Sequence, residues 1–339
     1  MKSTKPSYGL VLFAVGLAFC VVMLGAFTRL KDAGLGCPDW PGCYGHIMWP
    51  ETTEQIEAAQ ARFPEAPFEV AKAWPEVIHR YFASTLGLVI ILINVMAWKH
   101  RENRSQPFRL PLLLLGLVIA QGLFGMWTVT LKLWPQVVTA HLLGGFTTLS
   151  LLWLLLLRLV NRPWPEPNIH VRHWRALKPL AVAGLLLVVL QIALGGWTSS
   201  NYAALACPEL PTCQGRWLPP MDVADGFNVF QEIGPNYLGG QLDGSARVAI
   251  HMGHRIGALA VVLYLSFLLS RLYKYAGGPQ MRRQANIITG LLVLQVCLGL
   301  SNVIWSLPLA VAVAHNAGGV LLLLSLVSLN YRLFKSTSW

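Results

Sequence analysis

Residues 76–98 read EVIHRYFASTLGLVIILINVMAW, and residues 251–270 read HMGHRIGALAVVLYLSFLLS. Each opens with a His-Arg pair, His79-Arg80 and His254-Arg255, and continues as an apolar run. Runs of about 20 apolar residues are long enough to cross a bilayer as helices. A histidine within such a run is expensive to bury, so it is read first as a functional group. The next apolar run in each case carries another histidine, His141 after His79 and His315 after His254. These four histidines, placed by repetition, organise the rest of the reading.

Eight runs qualify as spans: roughly 9–29, 77–98, 110–131, 136–158, 179–198, 248–270, 286–305 and 309–331. The chain is 55% hydrophobic and only 12% charged, with a mean hydropathy of +0.52. Soluble domains carry about twice that charge fraction. The first run has no small-residue cleavage site after it and is read as a retained span, not as a signal peptide.

The net charge is +11. Its distribution argues for topology and not for nucleic acid. One side of the spans holds 17 Lys and Arg against two acids, Glu102 and Glu166; the other side holds 9 bases against 13 acids. That bias marks the basic side as cytoplasmic and places both termini there. The basic excess then meets anionic lipid, and no nucleic-acid partner is expected. The expected location is the cell (inner) membrane, with multiple passes. Residues 30–76 and 199–247 form long outer loops. The four histidines fall within ~10 Å of the outer ends of their spans at 1.5 Å per residue.

The two halves match by residue type. Leu24-Gly25-Ala26-Phe27-Thr28 answers to Leu194-Gly195-Gly196-Trp197-Thr198, and Gln121 to Gly125 answers to Gln295 to Gly299. His141-Leu142-Leu143-Gly144-Gly145 answers to His315-Asn316-Ala317-Gly318-Gly319. Four spans return the chain to its starting side, so the expected architecture is all-α: two parallel four-helix-bundle repeats, 1–165 and 166–339.

Neutral imidazole is a good axial ligand for iron, and two histidines on facing helices can hold a haem between them. Zinc fits less well, because its sites want about four clustered ligands and each half offers mainly one histidine pair. The glycine pairs leave room for a flat macrocycle or for close helix packing. Glu76 lies three residues before His79, on the same helical face. It reads either as a helix-end carboxylate or as a proton relay beside a haem edge. His251 holds the equivalent place, so the halves differ there. Arg80 and Arg255 suit either haem propionates or lipid head groups. Cys37 and Cys43, like Cys207 and Cys213, flank five residues on the outer side. An oxidising exterior favours the disulfides Cys37–Cys43 and Cys207–Cys213, while a redox-active thiol pair stays open. Cys20 and Cys297 read as small apolar span residues, and His46, His100, His170 and His173 as solvated.

Eight spans in a four-plus-four repeat, Glu76-Val77-Ile78-His79-Arg80, a histidine in each even-numbered span and paired cysteines in the first and third outer loops together resemble the haem A synthase family. The resemblance covers nearly the whole chain. It implies oxidation of the C8 methyl group of haem O to a formyl group, giving haem A for terminal oxidases. It implies that His254 and His315 ligate a haem B cofactor, that His79 and His141 face the substrate haem O, and that Glu76 is catalytic. Haem O synthase (protohaem farnesyltransferase) is the implied supplier, with an unidentified electron carrier as a further partner. The sequence leaves a homo-oligomer open.

Ligation alone also fits a di-haem b-type electron-transfer cytochrome, or a haem transporter. The Glu76–His251 difference favours unequal halves and hence an enzyme. The charge bias generates a first test. A single cysteine introduced at position 60 should react with an impermeant thiol reagent from outside intact cells, and labelling from the cytoplasmic face alone would overturn the topology.

Overall fold

The computed structural model describes residues 7–103, 107–160, 165–166, 168–275, 278–335 and 337–338. Of the charges that set the topology, Lys2, Lys5, Arg104 and Arg162 lie outside the described residues, as do the side chains of Glu166, His170 and Arg172. Eight helices are long and apolar enough to cross a membrane. They are α1 (Tyr8–Leu30), α3 (Val70–Lys99), α4 (Arg109–Thr130), α5 (Pro135–Val160), α6 (Asn168–Ser200), α8 (Gly244–Lys274), α9 (Pro279–Ile304) and α10 (Leu309–Lys335). Two short helices, α2 (Thr53–Arg62) and α7 (Val223–Gly226), lie in the long loops. Among the described residues the strands are a two-residue parallel pair, β1 (Pro165–Glu166) with β2 (Thr337–Ser338). The chain is an all-α, multi-pass membrane protein. Helices are what a bilayer allows, since every backbone N–H and C=O must be satisfied within the segment.

Helix α2 was not foreseen from periodicity, because its residues are mostly polar. Its signal is a capping box. The Gln55 N–H donates to Thr52 Oγ1 at 3.3 Å, and the Thr52 N–H donates back to Gln55 Oε1 at 3.3 Å. Helix α3 begins at Val70, ahead of the apolar run at 77, so Glu76 lies inside the helix and not at its first residue. That weakens the helix-end reading of this carboxylate, because the dipole effect falls off after the first turn.

Helix α1 packs against α3 and α5, and α4 packs against the same two. The four close a ring in which α3 and α5 stand at opposite corners. Helices α6, α8, α9 and α10 close a second ring, with α8 and α10 at opposite corners. The rings join through α5 against α6 and α10, and through α1 against α10. Helices α5 and α10 are therefore central and the most deeply covered.

The firmest packing lies in the half of the bundle away from the cysteine loops. Leu149, Leu152, Leu156 and Leu159 of α5 recur at three- and four-residue steps and are all buried, as are Leu265, Leu268 and Leu272 of α8 and Leu322, Leu326, Leu329 and Leu333 of α10. That spacing lays one apolar stripe along each helix. Interhelical hydrogen bonds fix the register, as they do between membrane helices generally. Trp153 Nε1 donates to Ser328 Oγ at 2.7 Å across the two rings, and Tyr264 OH donates to the Leu180 carbonyl at 3.0 Å. The histidine level sits nearer the loops, beyond this leucine core.

Candidate functional site

Each pair has one histidine on a peripheral helix and one on a central helix: His79 on α3 with His141 on α5, and His254 on α8 with His315 on α10. Within each ring the two come from opposite corners. All four are half-buried, so each ring retains an open face.

A glycine lies beneath every one of these rings. A β-carbon on Gly25 would come within 3.0 Å of His79 Cε1, on Gly125 within 3.5 Å of His141 Cε1, on Gly195 within 3.3 Å of His254 Cε1, and on Gly299 within 3.2 Å of His315 Cε1. Gly25 and Gly195 are repeat equivalents, as are Gly125 and Gly299. Sequence reading aligned these glycines without giving them a role. Their role is to admit the imidazole, and the signal was their fixed place in both halves.

The glycine pairs on α5 and α10 play a different part from the one expected. The amide of Gln121 lies against Gly144, and that of Gln295 lies against Gly318. The space these glycines leave is taken by glutamine side chains of the neighbouring helices.

His79 Nδ1, His141 Nδ1 and His315 Nδ1 are buried without a hydrogen-bond partner. Such an orphaned polar atom costs roughly 1–3 kcal/mol. In the second ring the glutamines reach the imidazoles. Gln191 Nε2 lies 3.1 Å from His254 Nδ1 and donates to the His254 carbonyl at 2.9 Å, and Gln295 Nε2 lies 3.3 Å from His315 Nε2. In the first ring Val21 stands at the place of Gln191 and has no donor to offer. Among the described residues no three His, Cys, Asp or Glu side chains gather as a metal cluster. The donor set is two facing imidazole pairs, with neutral nitrogen lone pairs and glycine clearance beside each ring. That set suits an iron porphyrin held axially.

Above each pair sits a cysteine loop. Cys37 is bonded to Cys43 and Cys207 to Cys213. In each loop the second cysteine pairs with a residue three further on: Cys43 N–H donates to the His46 carbonyl at 2.8 Å, and Cys213 N–H to the Arg216 carbonyl at 2.9 Å. Both central residues of each turn are left-handed, Tyr44 and Gly45 at φ +55° and +78° and Gln214 and Gly215 at +53° and +71°, and glycine takes the second of the two places without steric cost. Acidic side chains close it from within: Asp39 accepts from the Tyr44 and Gly45 N–H groups, and Glu209 accepts from Gly215. Burial, with the Glu69, Glu76 and Asp39 carboxylates nearby, raises the Tyr44 phenol above its ordinary value. It therefore remains a hydroxyl, shared between the Ala66 and Pro67 carbonyls at 3.0 and 3.2 Å.

Arg80 and Arg255, which in the sequence suit either propionates or lipid head groups, are bound in the structure to these loops. Arg80 Nη1 donates to the Gly42 carbonyl at 2.6 Å. Arg255 donates to the Thr212, Cys207 and Glu209 carbonyls at 3.0, 2.6 and 2.8 Å. Each arginine, one residue past its histidine, clamps the cysteine loop onto the helix.

Glu76 is buried, at 5% exposure, beneath the first loop. Its Oε2 accepts from the Cys37 N–H at 3.0 Å, and its Oε1 pairs with Arg80 Nη2. His251 is buried at 4% in the second half, and its Nδ1 accepts from the Cys207 N–H at 3.2 Å. The two residues thus hold the same backbone donor with different chemistry. A carboxyl group held by a guanidinium is a proton acceptor one turn from His79. Its counterpart is an imidazole with no fixed charge.

The COX15-CtaA family model, a cytochrome oxidase assembly protein, matches residues 8–327. The chain is 48% identical over 318 residues to the haem A synthase of Shewanella oneidensis, covering 94% of each protein. It is 27% identical to the haem A synthase of Allorhizobium ampelinum, over 93% of this chain and 86% of that one. It is 24% identical to the haem A synthase of Halalkalibacterium halodurans, over 90% and 89%. Matches that run through all eight spans, both histidine pairs and both cysteine loops place this chain in the haem A synthase (COX15-CtaA) family.

Proposed function

We propose that this protein is a haem A synthase of the cell (inner) membrane, with cytoplasmic termini. It oxidises the C8 methyl group of haem O to a formyl group, and the haem A formed serves terminal oxidases. Similarity to haem A synthases along almost the whole chain supports the activity. The division of labour rests on one observation: Glu76 and His251 hold equivalent places with unequal chemistry. Residues 1–165 form the substrate half, with His79 and His141 facing haem O. Residues 166–339 form the cofactor half, with His254 and His315 ligating haem B. The same inequality disfavours a di-haem cytochrome, which has no use for a single buried carboxylate. A haem O synthase supplies the substrate, and an electron carrier completes the reaction.

Haem B in the second half supplies one-electron and oxygen chemistry. The protein's own groups position and deprotonate. His79 and His141 fix the substrate's plane between α3 and α5. Where the methyl carbon becomes a formyl carbon by removal of electrons and addition of water, protons and electrons leave in equal number: the electron carrier takes the electrons, water supplies the oxygen, and Glu76 is the buried base placed to take the protons. Arg80 holds that carboxylate in one orientation and pins the loop that covers it. Positive charge developing at the reacting carbon is stabilised by the same carboxylate. Gln191 and Gln295 keep the cofactor-side imidazoles in place.

Two outcomes follow. His254→Ala or His315→Ala is expected to lose the low-spin haem B spectrum of the purified protein, since one of the two imidazoles that would hold the iron is gone. An unchanged spectrum and haem content would remove these residues as ligands. Glu76→Ala lowers haem A formation by about 100-fold or more, the lower range of general-base contributions, while haem B stays bound. The assay is chromatography of haems extracted from cells that also make haem O, with His251→Ala alongside. Wild-type haem A in Glu76→Ala would reject the catalytic role.

A further inference from the structure

On the bilayer face of the seam between α1 and α3 lies a groove of about 570 Å³, lined by Phe13, Gly16, Leu17, Cys20, Phe82 and Thr85. Its size falls within the usual range for small-molecule sites, roughly 300–1,000 Å³. Almost no polar atom faces it. The Thr85 hydroxyl is satisfied within its own helix by the Tyr81 carbonyl at 2.9 Å. The inner side of the same seam carries the contact between His79 and Gly25. At 1.5 Å per residue, the α1 wall of the groove from Cys20 to Phe13 lies roughly 7 to 18 Å from the Gly25 level, toward the end away from the cysteine loops.

The groove belongs to one half only in its residues. Gly16 and Cys20 of α1 answer to Leu186 and Leu190 of α6, both exposed leucines. Phe82 of α3 answers to Gly257 of α8. A β-carbon on Gly257 would meet Gln191 and Leu194, so α6 and α8 approach closely there. A β-carbon on Gly16 would meet nothing within 4 Å. Where the first half has Gly16 and Cys20 the second has leucines, and where the first has Phe82 the second has a glycine whose space is taken by the Gln191 and Leu194 side chains.

We propose that this groove receives the isoprenoid chain of the substrate haem. The inference rests on the reading of the first half as the haem O site. Haem O is an amphiphile, with charged propionates at one edge of the ring and a long hydrocarbon chain reaching away from it. A ring held at the level of His79, propionates toward the outer water, directs that chain toward the bilayer centre. There the groove lies, apolar and open to the phase from which the substrate arrives. The groove selects for the prenylated ring over haem B, which lacks the chain.

Cys20 provides the probe. It is an exposed free thiol within the groove, and Cys297, also free and exposed, lies on α9 of the other ring. Purified full-length protein carrying its haem B is treated in lipid nanodiscs with a lipid-soluble maleimide, alone, with haem O, or with additional haem B. Haem O should slow alkylation of Cys20 at least tenfold, additional haem B should not, and Cys297 should react equally throughout. A second variant, Gly16→Leu, puts bulk into the groove at a position where a β-carbon meets nothing within 4 Å. It should lower affinity for haem O at least tenfold and erase the preference for haem O over haem B, with the low-spin haem B spectrum retained as the sign of an intact fold. Conversion of haem O in the wild type, with Cys20 equally reactive in all three conditions, would overturn the groove alone and assign it to lipid acyl chains. Equal protection by haem O and haem B would overturn it too, since the isoprenoid chain would then contribute nothing. Neither conversion nor binding of haem O by the wild type would overturn the functional reading beneath it, and the groove with it.

Discussion

An imidazole nitrogen enclosed between helices needs a partner, and most of this structure follows from how that need is met. Three of the four histidines have a buried Nδ1 without one. Each ring lies over a glycine of the next helix, and each pair spans the diagonal of a four-helix ring. A bundle that only needed stability would place leucine at those corners, as it does along α5, α8 and α10 further in. The histidine level is instead set outside the firm core, toward the cysteine loops. Packing in the inner leucine layer fixes the geometry that the outer layer uses.

In the proposed reading the two halves apply one scaffold to different tasks. Both hang a cysteine loop over the histidine pair, clamp it with the arginine that follows the first histidine, and direct the N–H of its first cysteine at a buried side chain. The receiving group is Glu76 in one half and His251 in the other. The second half also steadies His254 through Gln191, where the first has Val21. A carboxylate buried beside a guanidinium is costly to leave unpaired, by about 3–5 kcal/mol when one partner is removed. Its presence at one site and absence at the other is therefore a difference that the shared fold does not demand, and the proposed division of labour rests on it.

Much of this was legible in the chain. Eight apolar runs and a type-matched repeat were sufficient for the spans, and the four histidines with Glu76 were visible from position alone. Outward placement and equal spacing foretold both disulfides. Other features were hidden for physical reasons. Arg80 and Arg255 were open to a haem propionate or a lipid head group, and nothing local says that the cysteine loop will fold over the helix and give them carbonyl acceptors. Gln121 and Gln295 looked like ordinary polar interruptions, because nothing local says that a glycine on the next helix will receive them. Helix α2 has no apolar stripe long enough to read, and its capping box is a weak signal among polar residues. The groove between α1 and α3 depends on small residues that mean nothing until two helices are set side by side.

The central claim is that two similar histidine pairs hold chemically different haems, one kept and one transformed. The most direct measurement is the identity of the haems extracted from the purified wild-type protein, made in cells that synthesise haem O and resolved by chromatography with mass detection. The account predicts haem B together with haem O or haem A. Haem B as the sole haem, whatever haem the cells supply, would contradict it and leave an electron-transfer cytochrome.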